Sequence, residues 1–187
     1  KGITVGRRAS RVSRAPEVFG ELPMGCLAEE IETPGEGQIR ALVTLASNPV
    51  LSSPNGPRLA AALATLDFMV SVDIYLNETT RHAHVVLPPA TPLERGHYDV
   101  VFHSLAVRNT AKYSPPLFPA PPGAMHDWRI LLELTRRLEL RSGRGGLRSA
   151  LTYRTLKALG PEGVLDLGLR FGPHRLSLAR LKKAPHG

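Results

Sequence analysis

Apolar residues along this chain switch between two spacings. Met24, Leu27, Ala28 and Ile31 recur at helical intervals opposite Glu29, Glu30 and Glu32, so Pro23 to Glu32 reads as a short amphipathic helix ending at Thr33-Pro34-Gly35. Ile39 to Ala46 is apolar in nearly every position, the pattern of a strand covered on both faces in a parallel sheet. It stops at Ser47-Asn48-Pro49. Asn55, with Pro57 just behind it, signals the cap of a helix over Arg58 to Leu66. Phe68 to Asp73 reads as a second buried strand, and Val85 to Leu87 as a short third before Pro88-Pro89. Strands alternating with helices imply right-handed crossovers and an α/β fold with a doubly wound, mostly parallel, Rossmann-like sheet.

The flanks are less regular. Residues 1–21 are rich in Arg, Ser, Pro and Gly and read as a lead-in linker. Val100 to Val107 suggests an extended excursion or an edge strand, and the prolines of Ser114 to Gly123 exclude a central strand. His126 to Leu138 is a clear amphipathic helix. The body therefore spans 22–140, and 141–187 is a basic, partly helical C-terminal extension, with helical patterns at Leu151–Leu159 and Pro161–Leu169 behind a Gly/Arg-rich joint.

Charge is segregated. Residues 1–14 carry five basic and no acidic side chains, and 136–187 carry twelve basic against three acidic, whereas 15–135 hold seven basic and thirteen acidic. The net charge of +8 belongs to the ends. An acidic middle and only 5% aromatic residues argue against a nucleic-acid-binding body. The longest nearly apolar stretch, Leu59 to Leu66, is too short for a membrane segment. One cysteine, Cys26, excludes a disulfide framework, fits a cytoplasmic setting and reads as a packed core thiol. A start at Lys1-Gly2 without methionine suggests a piece of a longer polypeptide.

In an open parallel sheet, ligands sit beyond the carboxyl ends of the strands. Three turns are expected there. Ser47 to Asn55 offers small hydroxyl and amide groups suited to a pyrophosphate, although a plain helix cap explains the same residues. Asp73, with Asn77 and Thr79 close behind, stands where such folds hold a ribose diol, although a turn-stabilising carboxylate explains it equally. The third turn surrounds His84 and Pro88. A metal reading of His82 and His84 lacks a third ligand, and Glu94 suits ordering of its loop.

The segments ALVTLASNPVLSSPN, RLAAALATLDFMVSVDIYLNETTRHAHVVLPPATPLER and DWRILLELTRRL stand in one order over roughly residues 22–140, and together they resemble the molybdopterin oxidoreductase family of formate dehydrogenases, nitrate reductases and dimethyl sulfoxide reductases. The resemblance implies the second of two α/β domains that each hold one guanine dinucleotide arm of a bis(molybdopterin guanine dinucleotide) cofactor, bis-MGD. By position, Ala46, Ser47, Asn48 and Ser52 match the family's phosphate and ribose loop, and Asp73 and Ile74 its nucleoside turn, with Thr79 behind. Many members have Asp in the Ala-Asp-Val-Val-Leu-Pro motif, where this chain has His84. A neutral imidazole has one acceptor nitrogen and cannot serve both guanine N1–H and the 2-amino group. The resemblance also implies that the molybdenum ligand and the iron–sulfur cysteines lie upstream. The expected partners are the remaining domains of a full-length enzyme and an electron-transfer partner, with neither nucleic acid nor membrane. The competing reading is a non-catalytic nucleotide-binding or protein-interaction α/β module.

Overall fold

The computed structural model describes residues 5–184. Two compact units divide the chain, Lys1–Pro88 and Pro89–Gly187. The boundary falls inside the stretch that sequence patterning reads as one body.

The first unit opens on β1 (Val5–Ala9) and β2 (Pro16–Val18), an antiparallel pair. The sequence suggests a linker here because no apolar face marks it. Buried polar groups hold the hairpin instead. The Glu17 carboxylate, 1% exposed, accepts from the Arg7 backbone and guanidinium at 3.0 Å each and from the Gly20 N–H. Arg11 then reaches across to donate to the Thr33 carbonyl at 2.6 Å, and Glu30 accepts from the Val12 N–H at 3.0 Å. These bonds tie the hairpin to α1 (Leu27–Glu32), which a 3-10 turn over Met24–Cys26 leads into. Cys26 is buried and donates to the Pro23 carbonyl at 2.7 Å.

Next come β3 (Ala41–Leu45), α2 (Pro49–Ser52), α3 (Gly56–Leu63), β4 (Phe68–Val72) and β5 (Val85–Val86). The sheet is wholly parallel with order β3-β4-β5, and Ala41 pairs with Phe68 through to Leu45 with Val72. α/β is therefore the observed class. Pairing in register puts Leu42, Thr44, Met69 and Ser71 on one face of the pleat. There Met69 meets Ala28 and Ile31 of α1, Leu59, Ala62 and Leu63 of α3, and Leu66. The buried Thr44 and Ser71 hydroxyls satisfy each other at 2.8 Å. The other face is open at its rim: Val43 is 52% exposed, Leu45 42% and Phe68 48%. The expectation that β3 is covered on both faces fails there, because α1 and α3 pack on the same side.

A close approach fixes the α2–α3 corner. A Cβ on Gly56 would lie 2.1 Å from the Val50 carbonyl oxygen, so only glycine fits. Asn55 caps α3 by accepting from Arg58 N–H at 3.4 Å, and the Arg58 guanidinium grips Glu32 at 2.6 Å to join α3 to α1.

The second unit is largely helical. β6 (His97–Tyr98) pairs antiparallel with β7 (Tyr113–Ser114) around α4 (Val100–Leu105). Patterning expects Val100–Val107 to be extended. The Asp99 carboxylate accepts from Phe102 N–H at 2.8 Å and starts a helical turn instead, a cap that outweighs the β-branched Val100 and Val101. α5 (Asp127–Arg141) and α6 (Leu147–Phe171) follow, then α7 (Leu178–Lys183). Gly160, at φ 59°, breaks α6 ahead of Pro161, which gives the two helical segments that the sequence shows. Tyr113, Leu178 and Leu181 form a small core. Glu94 completes a capping box with Thr91, the loop-ordering role expected of it.

Candidate functional site

β3 and β4 are parallel neighbours, so the loops leaving their carboxyl ends emerge side by side. Ala46 still donates its N–H to the Val72 carbonyl at 2.9 Å, but its φ of 45° turns the chain sharply off the sheet. This is the left-handed region that a Cβ disfavours. Ser47 and Asn48 follow, and α2 begins at Pro49.

Asn48 is held at both ends of its side-chain amide. Its Nδ2 donates to Glu78 at 2.7 Å, and its Oδ1 accepts from the Thr79 hydroxyl at 2.7 Å. Thr79, fully buried, accepts in turn from the Val50 N–H at 3.0 Å. The loop after β3 is thus latched to the loop after β4. Asn77 orders that second loop by accepting from the Thr79 and Thr80 N–H groups at 3.0 and 2.9 Å. The Asn48 amide, helped by Glu78's own N–H and the Arg81 charge, holds the Glu78 carboxyl below its usual range against a desolvation effect of opposite sign.

Some groups at this edge have no protein partner. Among the described residues, the N–H groups of Ser47 and Asn48 find no acceptor. Asp73, itself buried, accepts the Tyr75 N–H on Oδ1 at 2.9 Å, while no donor among the described residues reaches Oδ2. Ser47 and Ser52 are exposed, and the Ser52 hydroxyl donates to the Asn48 carbonyl at 3.1 Å. Ile74 is 37% exposed and Tyr75 69%, an apolar margin beside the carboxylate. Backbone donors and hydroxyls suit a phosphate, one carboxylate oxygen a ribose, and an apolar margin a base.

The structure therefore brings Ala46, Ser47, Asn48, Ser52, Asp73, Ile74 and Thr79 to one edge. His84 is elsewhere. It pairs with Met69, giving its N–H to the Met69 carbonyl at 2.9 Å and accepting the Met69 N–H on Nδ1 at 3.0 Å, with its ring 5.4 Å from that of Phe68. Met69 lies four residues before Asp73, about 13 Å along the strand. His84 thus stands at the amino end of the sheet and closes the ladder between β4 and the start of β5. A carboxylate accepts the same backbone bond, which gives a structural reason for Asp or His at this place.

Sequence reasoning also missed Glu78. The available signal was topological: Asn48 and the Asn77-Glu78-Thr79 run each follow the end of one of two adjacent parallel strands. No three His, Cys, Asp or Glu side chains gather as a metal site among the described residues.

With this geometry in place, comparison with known proteins gives the class. Residues 4–137 match the molybdopterin oxidoreductase family, and the chain belongs to that family of enzymes. It is 34% identical over 150 residues to the assimilatory nitrate reductase catalytic subunit of Bacillus subtilis, covering 77% of this chain and 20% of that protein. It is 36% identical over 115 residues to the F420-dependent formate dehydrogenase subunit alpha of Methanocaldococcus jannaschii, covering 60% of this chain and 16% of that one. Against the nitrate reductase of Synechocystis sp. the identity is 31% over 131 residues, 69% of this chain and 18% of that protein. The chain thus spans about a fifth or less of the length of these curated relatives. No described helix is long and apolar enough to cross a membrane.

Proposed function

We propose that this chain is the part of a longer, molybdenum-dependent oxidoreductase that holds one guanosine diphosphate arm of a bis-MGD cofactor at the carboxyl edge of its parallel sheet. One observation carries the reading: the Asn48 amide, clamped between Glu78 and Thr79, fixes two adjacent loops so that N–H groups without a partner among the described residues lie on one and a carboxylate oxygen likewise without one on the other. Membership of the family supplies the cofactor class.

Ser47 and Asn48 would donate their backbone N–H groups, and Ser47 its hydroxyl, to the diphosphate, and the Ser52 hydroxyl would join them on turning away from the Asn48 carbonyl. Asp73 Oδ2 would accept from a ribose hydroxyl, while Ile74 and Tyr75 offer an apolar wall to the base. Asn48 and Thr79 are positioning residues, because their side chains are spent on each other and on Glu78 and Val50. The metal of the bound cofactor would supply the two-electron chemistry. This chain's contribution is to bind and orient the cofactor. The molybdenum ligand, the iron–sulfur cluster and the electron-transfer partner belong, on this reading, to the remaining domains and partners of the full-length enzyme. The single buried thiol is consistent with a cytoplasmic protein.

Calorimetric titration of guanosine diphosphate and adenosine diphosphate tests the assignment. Binding should be weak, since one arm of a large ligand gains little from a surface with no opposing domain. Removing a charge-assisted hydrogen bond costs roughly 1.5–3 kcal/mol, so Asp73→Ala should weaken guanosine diphosphate by about tenfold or more. Unchanged affinity in Asp73→Ala would end the site assignment and leave the family membership intact.

A further inference from the structure

In the second unit, α5, α6 and the loop between them line an open cavity of about 340 Å³ that the cofactor reading does not use. Its polar lining consists chiefly of Arg136, Arg144 and Arg148 with Glu139, Ser149 and Tyr153. Arg136 is built in. Its Nη1 donates to the Ser149 hydroxyl at 2.8 Å and to the Gly145 carbonyl at 3.3 Å, and its guanidinium lies 6.0 Å from the centre of the Tyr153 ring. The Ser149 hydroxyl donates to Glu139.

Arg144 and Arg148, like Arg136, carry a charge that no carboxylate pairs among the described residues, whereas Glu133 already gathers Arg129, Arg137 and Lys157. Three guanidinium groups against the single Glu139 carboxylate leave two positive charges on the lining. Guanidinium forks match tetrahedral oxyanions through paired N–H donors, and a volume at the low end of small-molecule sites suits one phosphoryl group with a small attached body.

We propose that this cavity binds a doubly charged phosphoryl oxyanion, either free phosphate or the phosphoryl end of a nucleotide, through Arg144 and Arg148 on the platform of Arg136 and Ser149. Glu139 is the internal competitor: its carboxylate takes the Ser149 hydroxyl that an incoming oxyanion would otherwise use.

The test is titration of the whole chain with inorganic phosphate and, in parallel, adenosine diphosphate, against sodium chloride at matched ionic strength. Amide NMR shifts over residues 136–157 provide the readout, which separates this cavity from the edge at Asp73. Arg144→Ala with Arg148→Ala, both exposed positions, should weaken phosphate about tenfold or more. Arg144→Lys with Arg148→Lys keeps the charge, loses the fork and should weaken it by about threefold to fivefold. Glu139→Gln should tighten it by about fivefold. Tighter binding of the nucleotide identifies the phosphoryl end of a nucleotide as the source, and equal binding identifies free phosphate. Shifts that chloride reproduces, or phosphate affinity unchanged in the double alanine variant, would overturn the proposal.

Discussion

Asn48 gives both ends of its amide to the protein, so its replacement acts on the loop before it acts on any ligand. Asn48→Ala removes the bonds to Glu78 and Thr79, and at about 0.5–1.5 kcal/mol net for each the protein should lose about 1–3 kcal/mol in urea unfolding. Guanosine diphosphate should weaken as well, because the two loops are no longer latched. A stability loss without a loss of affinity would show that the latch does not shape the site. Ala46 presents the opposite case. Its φ of 45° costs a Cβ-bearing residue about 1–2 kcal/mol, partly offset by glycine's larger entropy loss on folding, so Ala46→Gly should raise stability by about 0.5–1 kcal/mol. At His84 the expectation follows from the backbone bond. His84→Asp retains an acceptor for the Met69 N–H and should be nearly neutral, whereas His84→Ala leaves that donor without its partner and should cost about 1–3 kcal/mol. Neither should alter nucleotide affinity, and a selective gain in guanine binding by His84→Asp would contradict the placement at the amino end of the sheet. Residue types alone made the Ser47–Ser52 loop and Asp73 legible in the sequence. They did not show that the Asn48 amide faces protein, since hydrogen-bond partners about thirty positions away depend on the register of two strands.

At the scale of elements, legibility followed the physical origin of each one. Burial of apolar surface made α3 and β4, which meet α1 in one core, and such burial leaves its period in the chain. Leu63, 1% exposed between α1 and the sheet, belongs to this class, so Leu63→Ala should destabilise the first unit by about 2–5 kcal/mol in urea unfolding. The β1–β2 hairpin belongs to another class. All five residues of β1 are exposed, and its anchor is the Glu17 carboxylate, which no periodicity announces. The same carboxylate makes the hairpin sensitive to acid. The Arg7 guanidinium above all, with the Gly20 and Arg7 N–H groups, holds Glu17 below its ordinary value of 4.5, against burial, which pushes the other way. Its contribution to stability is therefore complete above the unfolded-state value and is lost as the pH falls through the depressed folded one. Hydrogen exchange of the amides over residues 5–18 should accelerate in that acid window relative to those of β4. Glu17→Gln should show the faster exchange at neutral pH and lose the acid dependence. α4 shows a third origin, a single Asp99 cap acting on a segment of β-forming residues, where local propensity points to the wrong element.

For the whole molecule, two units with separate ligand assignments predict separate responses. A ligand that binds the folded state stabilises it by RT ln(1 + [L]/Kd), about 1.4 kcal/mol at ten times Kd, and only in the structure whose opening releases that ligand. Guanosine diphosphate at that concentration should therefore slow exchange by about tenfold at the slowest amides of residues 41–80, the elements around Asn48 and Asp73. The proposed oxyanion cavity takes phosphoryl groups too, so the measurement needs Arg144→Ala with Arg148→Ala as background, where residues 136–157 should stay unprotected. Inorganic phosphate on the unaltered chain should then give the converse pattern, with protection over 136–157 and little over 41–80, because phosphate alone lacks the ribose and base that the first edge engages. Turnover should accompany neither ligand. Relatives about five times longer than the matched segment carry activities named for nitrate and formate, and on the proposed reading the metal ligand lies in their additional length. Nucleotide protection spread evenly over both units in the double alanine background would remove the sheet-edge site, whatever the affinity. Protection confined to 41–80 in that background and abolished by Asp73→Ala would assign the remaining nucleotide binding to that edge, because no other part of the chain would respond to the ligand.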